Sequence, residues 1–153
     1  MAKQERPEVN IKNKKAFFDY AMLEHFTAGI QLVGSEIKSI REGHITLKGS
    51  HCFVDRGQIF VKGMDIQTYK HAGPVVNHDP KRNKKLLLTK KEILKIEDEL
   101  KVKGITVVVT GLFLTKKGWA KLNIALAKGK KSYDKREDIK KRDNEREMKR
   151  KDI

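Results

Sequence analysis

A mainly β fold, with two or three inserted helices and a basic C-terminal tail, is what this sequence predicts. Three observations carry that expectation. Apolar residues are dense from Phe17 to Leu126 and sparse on either side, so the middle of the chain can bury a core and its ends cannot. Within the middle, apolar residues mostly recur at every second position, the period of a half-buried strand. Beyond Ala127 almost every residue is charged, and the few apolar ones, Tyr133, Ile139, Met148 and Ile153, form no stripe that would dock on a core. Five or six short antiparallel strands leave unpaired edges unless the sheet closes on itself. A small closed antiparallel β-barrel of OB-like form is therefore expected.

A length of 153 residues fits one domain with appendages. The expected division is a flexible N-terminal arm over 1–12, the barrel over 13–128 and a basic tail over 129–153 that is disordered when free. Phe18, Tyr20, Met22, Phe26, Ala28, Ile30 and Leu32 share one parity, which predicts a single long strand from Phe17, with a helix as the alternative. Glu24 interrupts the inward set and Gly29 lets the strand bend. Ser35 is the expected N-cap of a two-turn helix, with Glu36 in its first turn, Ile37 and Ile40 on one face and Gly43 at its end. Ile45–Leu47 and His51–Asp55 read as short strands, and Arg56-Gly57 turns the chain into a hairpin partner, Gln58–Lys62. Residues 65–85, with Gly73, Pro74, Asn77 and Pro80, read as a long exposed loop. Thr89-Lys90-Lys91-Glu92 is a capping box, followed by Ile93, Leu94, Ile96 and Leu100 on one helical face and by Gly104. Ile105–Leu114 is a β-branched strand, Lys116-Lys117-Gly118 a hairpin turn, and Ala120, Leu122, Ile124 and Leu126 the inward set of the last strand.

Charge narrows the function. The formal net charge is +15, and self-repulsion on that scale favours an anionic partner, nucleic acid first and an acidic membrane surface second. No apolar run reaches the ~18 residues of a membrane span, and the N-terminus lacks the apolar core of a signal peptide. The single cysteine, Cys52, forms no intrachain disulfide and reads as a small buried hydrophobe. A reducing, cytoplasmic setting is expected, and the excess charge favours a monomer in solution.

The sequence offers little for catalysis. The five histidines have no helical metal-site spacing, and His44, His51 and Cys52 do not complete a tetrahedral set. His78-Asp79-Pro80 reads as a turn before it reads as a nuclease pair. Gly129-Lys130-Lys131 lacks the spacing of a phosphate-binding P-loop. No enzyme activity, metal or cofactor is expected.

Three basic runs lie beside apolar or aromatic residues: Asn13-Lys14-Lys15 before Phe17 and Phe18, Lys81-Arg82-Asn83-Lys84-Lys85 before Leu86-Leu87-Leu88, and Lys128-Gly129-Lys130-Lys131 before Tyr133. Lysines supply salt-dependent affinity for phosphates, and exposed aromatics stack on unpaired bases. RNA is the expected ligand. In the tail, Glu137–Lys141, Asp138–Arg142, Glu145–Lys149 and Glu147–Lys151 are spaced i,i+4, acid first. Each pair contributes ~0.2–0.5 kcal/mol to a helix, too little to hold an isolated one. Such a tail orders on its target, with Lys135, Arg142, Arg146 and Lys149 on one face.

Six motifs in order give the chain a resemblance. They are Asn13-Lys14-Lys15-Ala16, Ala28-Gly29-Ile30, Gly34-Ser35-Glu36-Ile37-Lys38-Ser39, His78-Asp79-Pro80, Lys85-Leu86-Leu87-Leu88, and Ala127-Lys128-Gly129-Lys130-Lys131 with Asp134-Lys135-Arg136. Together they resemble the SmpB family of tmRNA-binding (SsrA-binding) proteins. The resemblance implies an OB-type barrel that binds the tRNA-like domain of tmRNA and delivers alanyl-tmRNA to stalled 70S ribosomes in trans-translation. It implies a tail that enters the decoding region and the empty mRNA channel as a helix. By the same resemblance Asn13 and Leu87 align with tmRNA-binding positions, and Gly129, Lys130 and Lys131 with the tail junction. Asp134, Lys135 and Arg136 align with a motif needed for tagging, and Tyr133, Arg142 and Arg146 join them as expected ribosome contacts. Thr27 stands where the family often has Glu, Ser35 where an aromatic is common, and Tyr133 where His is frequent. The alternative is a generic OB-fold RNA-binding or ribosome-associated protein without a rescue role.

Overall fold

The computed structural model describes residues 9–70 and 77–151. Most of the expected arm, residues 1–8, lies outside that range, as do 71–76 of the expected loop. Thirteen elements follow one another: β1 (Asn10–Lys12), α1 (Lys14–Asp19), β2 (Tyr20–Ile30), α2 (Gly34–Arg41), β3 (Ile45–Thr46), β4 (His51–Asp55), β5 (Gln58–Lys62), β6 (Asp65–Ile66), β7 (Lys84–Leu87), α3 (Lys90–Leu100), β8 (Ile105–Leu114), β9 (Ala120–Gly129) and α4 (Ser132–Lys151). The fold is mainly β. No helix among the described residues is long and apolar enough to cross a membrane.

All pairings are antiparallel. From β8 they pass through β4, β5, β7, β2 and β9 and return to β8, so each of these strands has a neighbour on both sides. The alternation read from the sequence explains why the ring has an inside. Phe26, Ala28 and Ile30 of β2, Ile59 and Val61 of β5, Leu86 of β7, Val107 and Val109 of β8, and Leu122, Ile124 and Leu126 of β9 all face one core. Ile40 of α2 and Ile96 of α3, both fully buried, join that core. The pattern breaks where the sequence breaks: the β2–β9 register shifts between Met22 and Glu24, at the residue that spoiled the inward parity.

Several expectations are corrected. The strand expected from Phe17 begins only at Tyr20, because Asn13 caps a short helix, its side-chain oxygen accepting from the Ala16 N–H at 3.4 Å. Asn10–Lys12, expected in the flexible arm, pair with β8. A Cβ on Gly111 would meet the Ile11 carbonyl oxygen at 2.9 Å, so that edge closes only over glycine. Ser35 is not the N-cap of α2; Val33 is, and its N–H donates to the Glu36 carboxylate at 2.9 Å. The loop expected over 65–85 has strands at both ends, β6 and β7. Within the basic tail expected over 129–153, Ser132–Lys151 forms helix α4. Its i,i+4 pairs favour that state, and its first turns have partners on α1. The capping box of α3 is as expected, with the Thr89 and Glu92 side chains each accepting from the other's N–H.

One group in the fold is costly to bury, a carboxylate. Glu36 is fully buried, and its Oε1 accepts from Arg82 Nη2 at 2.5 Å. Its Oε2 lies 3.7 Å from Lys84 Nζ, and that lysine is fully buried too. Lys84 Nζ donates to the carbonyl oxygens of Arg82 at 2.6 Å and Met64 at 3.4 Å. Burial holds its pKa below the ordinary lysine value, with the Glu36 charge opposing. Removing one partner of such a set leaves an uncompensated buried charge. Glu36→Ala should therefore lower stability by about 3–5 kcal/mol, read as a lowered midpoint in urea unfolding; an unchanged midpoint would refute this account.

Candidate nucleic-acid interface

Two cationic regions emerge. The first is built on α1 and the start of the tail. Asn13, expected to touch RNA, is buried. Its side-chain amide donates to the carbonyl oxygens of Val109 at 2.9 Å and Leu47 at 3.2 Å. Asn13 thus fixes α1 against β8, and the residues it presents are Lys14, Lys15 and Phe17, all exposed. Lys128, Gly129 and Lys131 are exposed at the junction, whereas Lys130 is partly covered. Lys130 Nζ donates to the Phe17 carbonyl oxygen at 2.9 Å and to the Asp138 carboxylate.

These contacts clamp the first turns of α4 onto α1. Lys135 Nζ lies 3.5 Å from Asp19 Oδ1. Lys135 and Arg142 both stand over the Phe18 ring, 5.9 and 5.1 Å from its centroid, the geometry in which the ring quadrupole attracts a cation. Lys135 and Arg142, expected as ribosome contacts, are thus partly engaged at home. Arg136 and Arg146 are exposed, and positions 139–149 are exposed throughout. Tyr133 and Asp134 lie in the first turn of α4, but their side chains are outside the described set.

The second region is a cleft of about 740 Å³ where α2, β2, β7 and the β8–β9 turn meet. Leu87, half exposed, stands on its wall, where a Cβ added at Gly29 would come within 3.2 Å of the Leu87 Cβ. Trp119 is 70% exposed, the most exposed large apolar side chain described, and it lines the same cleft beside Arg41, Arg82 and Lys121. Trp119, Arg41 and Lys121 were not singled out from the sequence. Trp119 falls just after the hairpin turn, where a large aromatic cannot be assigned to core or surface by parity. A bare aromatic face ringed by cations suits an unpaired base and its phosphate.

Lys84 is a correction: it was expected to bind RNA, but it is sealed beneath this region. Lys85, its neighbour on β7, lies opposite Phe60 and is partly exposed. His78 serves the fold, its two ring nitrogens engaging Ser35 Oγ at 2.7 Å and the Ile66 carbonyl oxygen at 2.9 Å. Asp79 accepts from the Lys81 N–H, a turn contact. Thr27 Oγ1 donates to Asn123 Oδ1 at 3.1 Å. Cys52 is buried, and burial raises its thiol pKa far above the usual range, which leaves it inert. No cluster of three or more His, Cys, Asp or Glu side chains suited to a metal occurs among the described residues.

Comparison with known proteins follows the same lines. The family model described as SmpB protein matches residues 10–152. An SsrA-binding protein of Parabacteroides distasonis is 51% identical over 140 residues, which cover 92% of this chain and 91% of that protein. An SsrA-binding protein of Bacteroides thetaiotaomicron is 51% identical over 143 residues, 94% of this chain and 95% of that one. That of Fervidobacterium nodosum is 49% identical over 137 residues, covering 90% and 91%. A solved structure described as "tmRNA-SmpB: a journey to the center of the bacterial ribosome" superposes with a TM-score of 0.69 at 35% identity, covering 81% of this chain and 86% of its own.

The clamp has a pH dependence of defined sign. The hydrogen bond from Lys130 holds the Asp138 carboxyl below its ordinary value. A carboxylate depressed in the docked state favours docking above its free pKa of ~3.9 and loses that contribution as pH falls through the lowered value. The nuclear Overhauser contacts between α1 and α4 should therefore persist from neutral pH to about pH 4 and fade below it. Asp138→Asn should weaken them at neutral pH; contacts indifferent to both changes would remove Lys130–Asp138 from the clamp.

Proposed function

This chain belongs to the SmpB family, and on that premise we propose that it is the tmRNA-binding adaptor that delivers alanyl-tmRNA to stalled ribosomes for trans-translation. The observation that carries the reading is a 20-residue charged helix, clamped at its first turns and bare beyond, on a β scaffold with a separate cationic, aromatic cleft. We read the ring of paired strands as an OB-like barrel. Its cleft, with Leu87, Trp119, Arg41, Lys121 and the neighbouring Lys85, grips the tRNA-like domain of tmRNA by phosphates and by one or two stacked bases. Asn13 acts indirectly, by setting α1. The chain works in the cytoplasm, as a monomer in solution, without catalysis, cofactor or metal.

The tail acts on the ribosome. Its ion pairs are individually weak and its outer face is solvated, so the part beyond the clamp is marginal as an isolated helix and gains full order against a target. In a channel vacated by mRNA, Arg136, Arg142, Arg146 and Lys149 meet bare ribosomal RNA phosphates. Where mRNA fills the channel, the helix is excluded by volume and deprived of those phosphates. Tyr133 and Asp134 complete the junction, Tyr133 keeping the stacking face of an aromatic.

Ending the chain after Lys131 should leave binding to the tRNA-like domain nearly unchanged and abolish tagging of stalled products; normal tagging by that truncation would remove the tail from the mechanism. In filter binding, Lys85→Ala and Lys121→Ala should each flatten the dependence of log K on log salt by up to ~0.9. Lys84→Ala should leave that slope unchanged and lower stability instead. Trp119→Ala should cost ~1–3 kcal/mol of binding if one base stacks there. Affinity for bulk tRNA equal to that for tmRNA would favour a general RNA-binding protein.

A further inference from the structure

A second cleft, of about 410 Å³, opens between α1, the segment from Lys48 to His51 and β8. Its volume lies within the ~300–1,000 Å³ of small-ligand sites. Lys15, Lys48, His51, Tyr20 and Thr106 line it, together with Asp19, the one acidic residue among its lining side chains. Lys15 and Lys48 are exposed, and Tyr20 and His51 are half-buried. His51 is oriented by its Nδ1, 3.3 Å from the Gly49 carbonyl oxygen. Two exposed ammonium groups, an imidazole, a hydroxyl and a phenol ring in one cleft match a phosphate joined to an aromatic base.

Asp19 is the discordant group, since its charge repels a phosphate. It is also the residue that the docked tail answers, with Lys135 Nζ at 3.5 Å. The geometry points to a site for one unpaired RNA nucleotide, its phosphate between Lys15 and Lys48 and its base against Tyr20, that is strengthened when the tail docks and Lys135 neutralises Asp19. Coupling of this kind is reciprocal: a nucleotide in the cleft holds the first turns of the tail on α1. The proposal rests on the adaptor reading only for the choice of RNA as ligand.

The test uses the full chain, labelled with nitrogen-15, and adenosine 5′-monophosphate as probe. The nucleotide should shift the amide signals of Gly49, Ser50 and Thr106 saturably, and adenosine or inorganic phosphate alone should bind at least about ten-fold more weakly. Lys48→Glu should weaken the nucleotide about ten-fold or more, and Lys48→Arg should retain it. Lys135→Ala should weaken it several-fold in the native chain but not beside Asp19→Asn. Silent Gly49, Ser50 and Thr106 signals, phosphate binding as well as the nucleotide, or an equal Lys135→Ala effect in both backgrounds would overturn the proposal. Lys48→Glu is then measured against the tRNA-like domain and against stalled ribosomes. A loss on one of them identifies the RNA that supplies the nucleotide, and no loss on either overturns the site. A native chain that takes the nucleotide but not the tRNA-like domain would sink the adaptor reading and leave the cleft standing.

Discussion

The geometry of the cleft-bearing side rests on a carboxylate deprived of water. Glu36 ties the N–H that opens α2 to Arg82 and, at longer range, to Lys84. Those contacts fix the entry into β7, and β7 carries Lys85 outward and Leu87 onto the cleft wall. A charge set of this kind is a poor source of net stability, because desolvation consumes most of the attraction. What it supplies is position: α2 and β7 cannot slide past each other without stranding a charge. Arg82 belongs to both worlds, bound to Glu36 within and lining the cleft without.

The same division recurs at the other pole. Asn13 spends its side chain on β8, on the Leu47 carbonyl and on the first turn of α1. The groups left exposed are the lysines and phenylalanine that follow it. In both places a polar residue inside a basic motif is a fastening, and its neighbours in sequence are left at the surface. Loss of RNA binding on changing Asn13 or Lys84 would follow from a displaced surface, with no direct contact required.

Much of the fold could be read from the chain. The β4–β5 hairpin, the capping box of α3 and the inward set of β9 declared themselves through period, turn chemistry and reciprocal hydrogen bonding, all local properties. What stayed hidden was set by distant partners. Lys84 reads as one more lysine in a basic run until Glu36, far away in sequence, is brought beside it. Phe17–Asp19 reads as the start of a long strand, and only an Asn13 anchored to β8 makes Lys14–Asp19 helical. Ser35 looks like a helix cap, yet it serves His78. The tail junction was visible as charge, but its clamp needs Phe18 and Asp19 in space. The cleft around Trp119 gathers residues from four elements, and no single window of sequence contains it.

One feature of that cleft reaches beyond recognition. Trp119 is the only tryptophan in the chain, and it stands largely in water at the mouth of the cleft. Excited at the red edge of its absorption, where tyrosine does not absorb, the molecule therefore emits from a single indole outside the hydrophobic interior. On the function proposed above, colour and intensity of that light report on the occupancy of one groove, and the folded chain carries its own optical gauge of RNA capture with no dye attached.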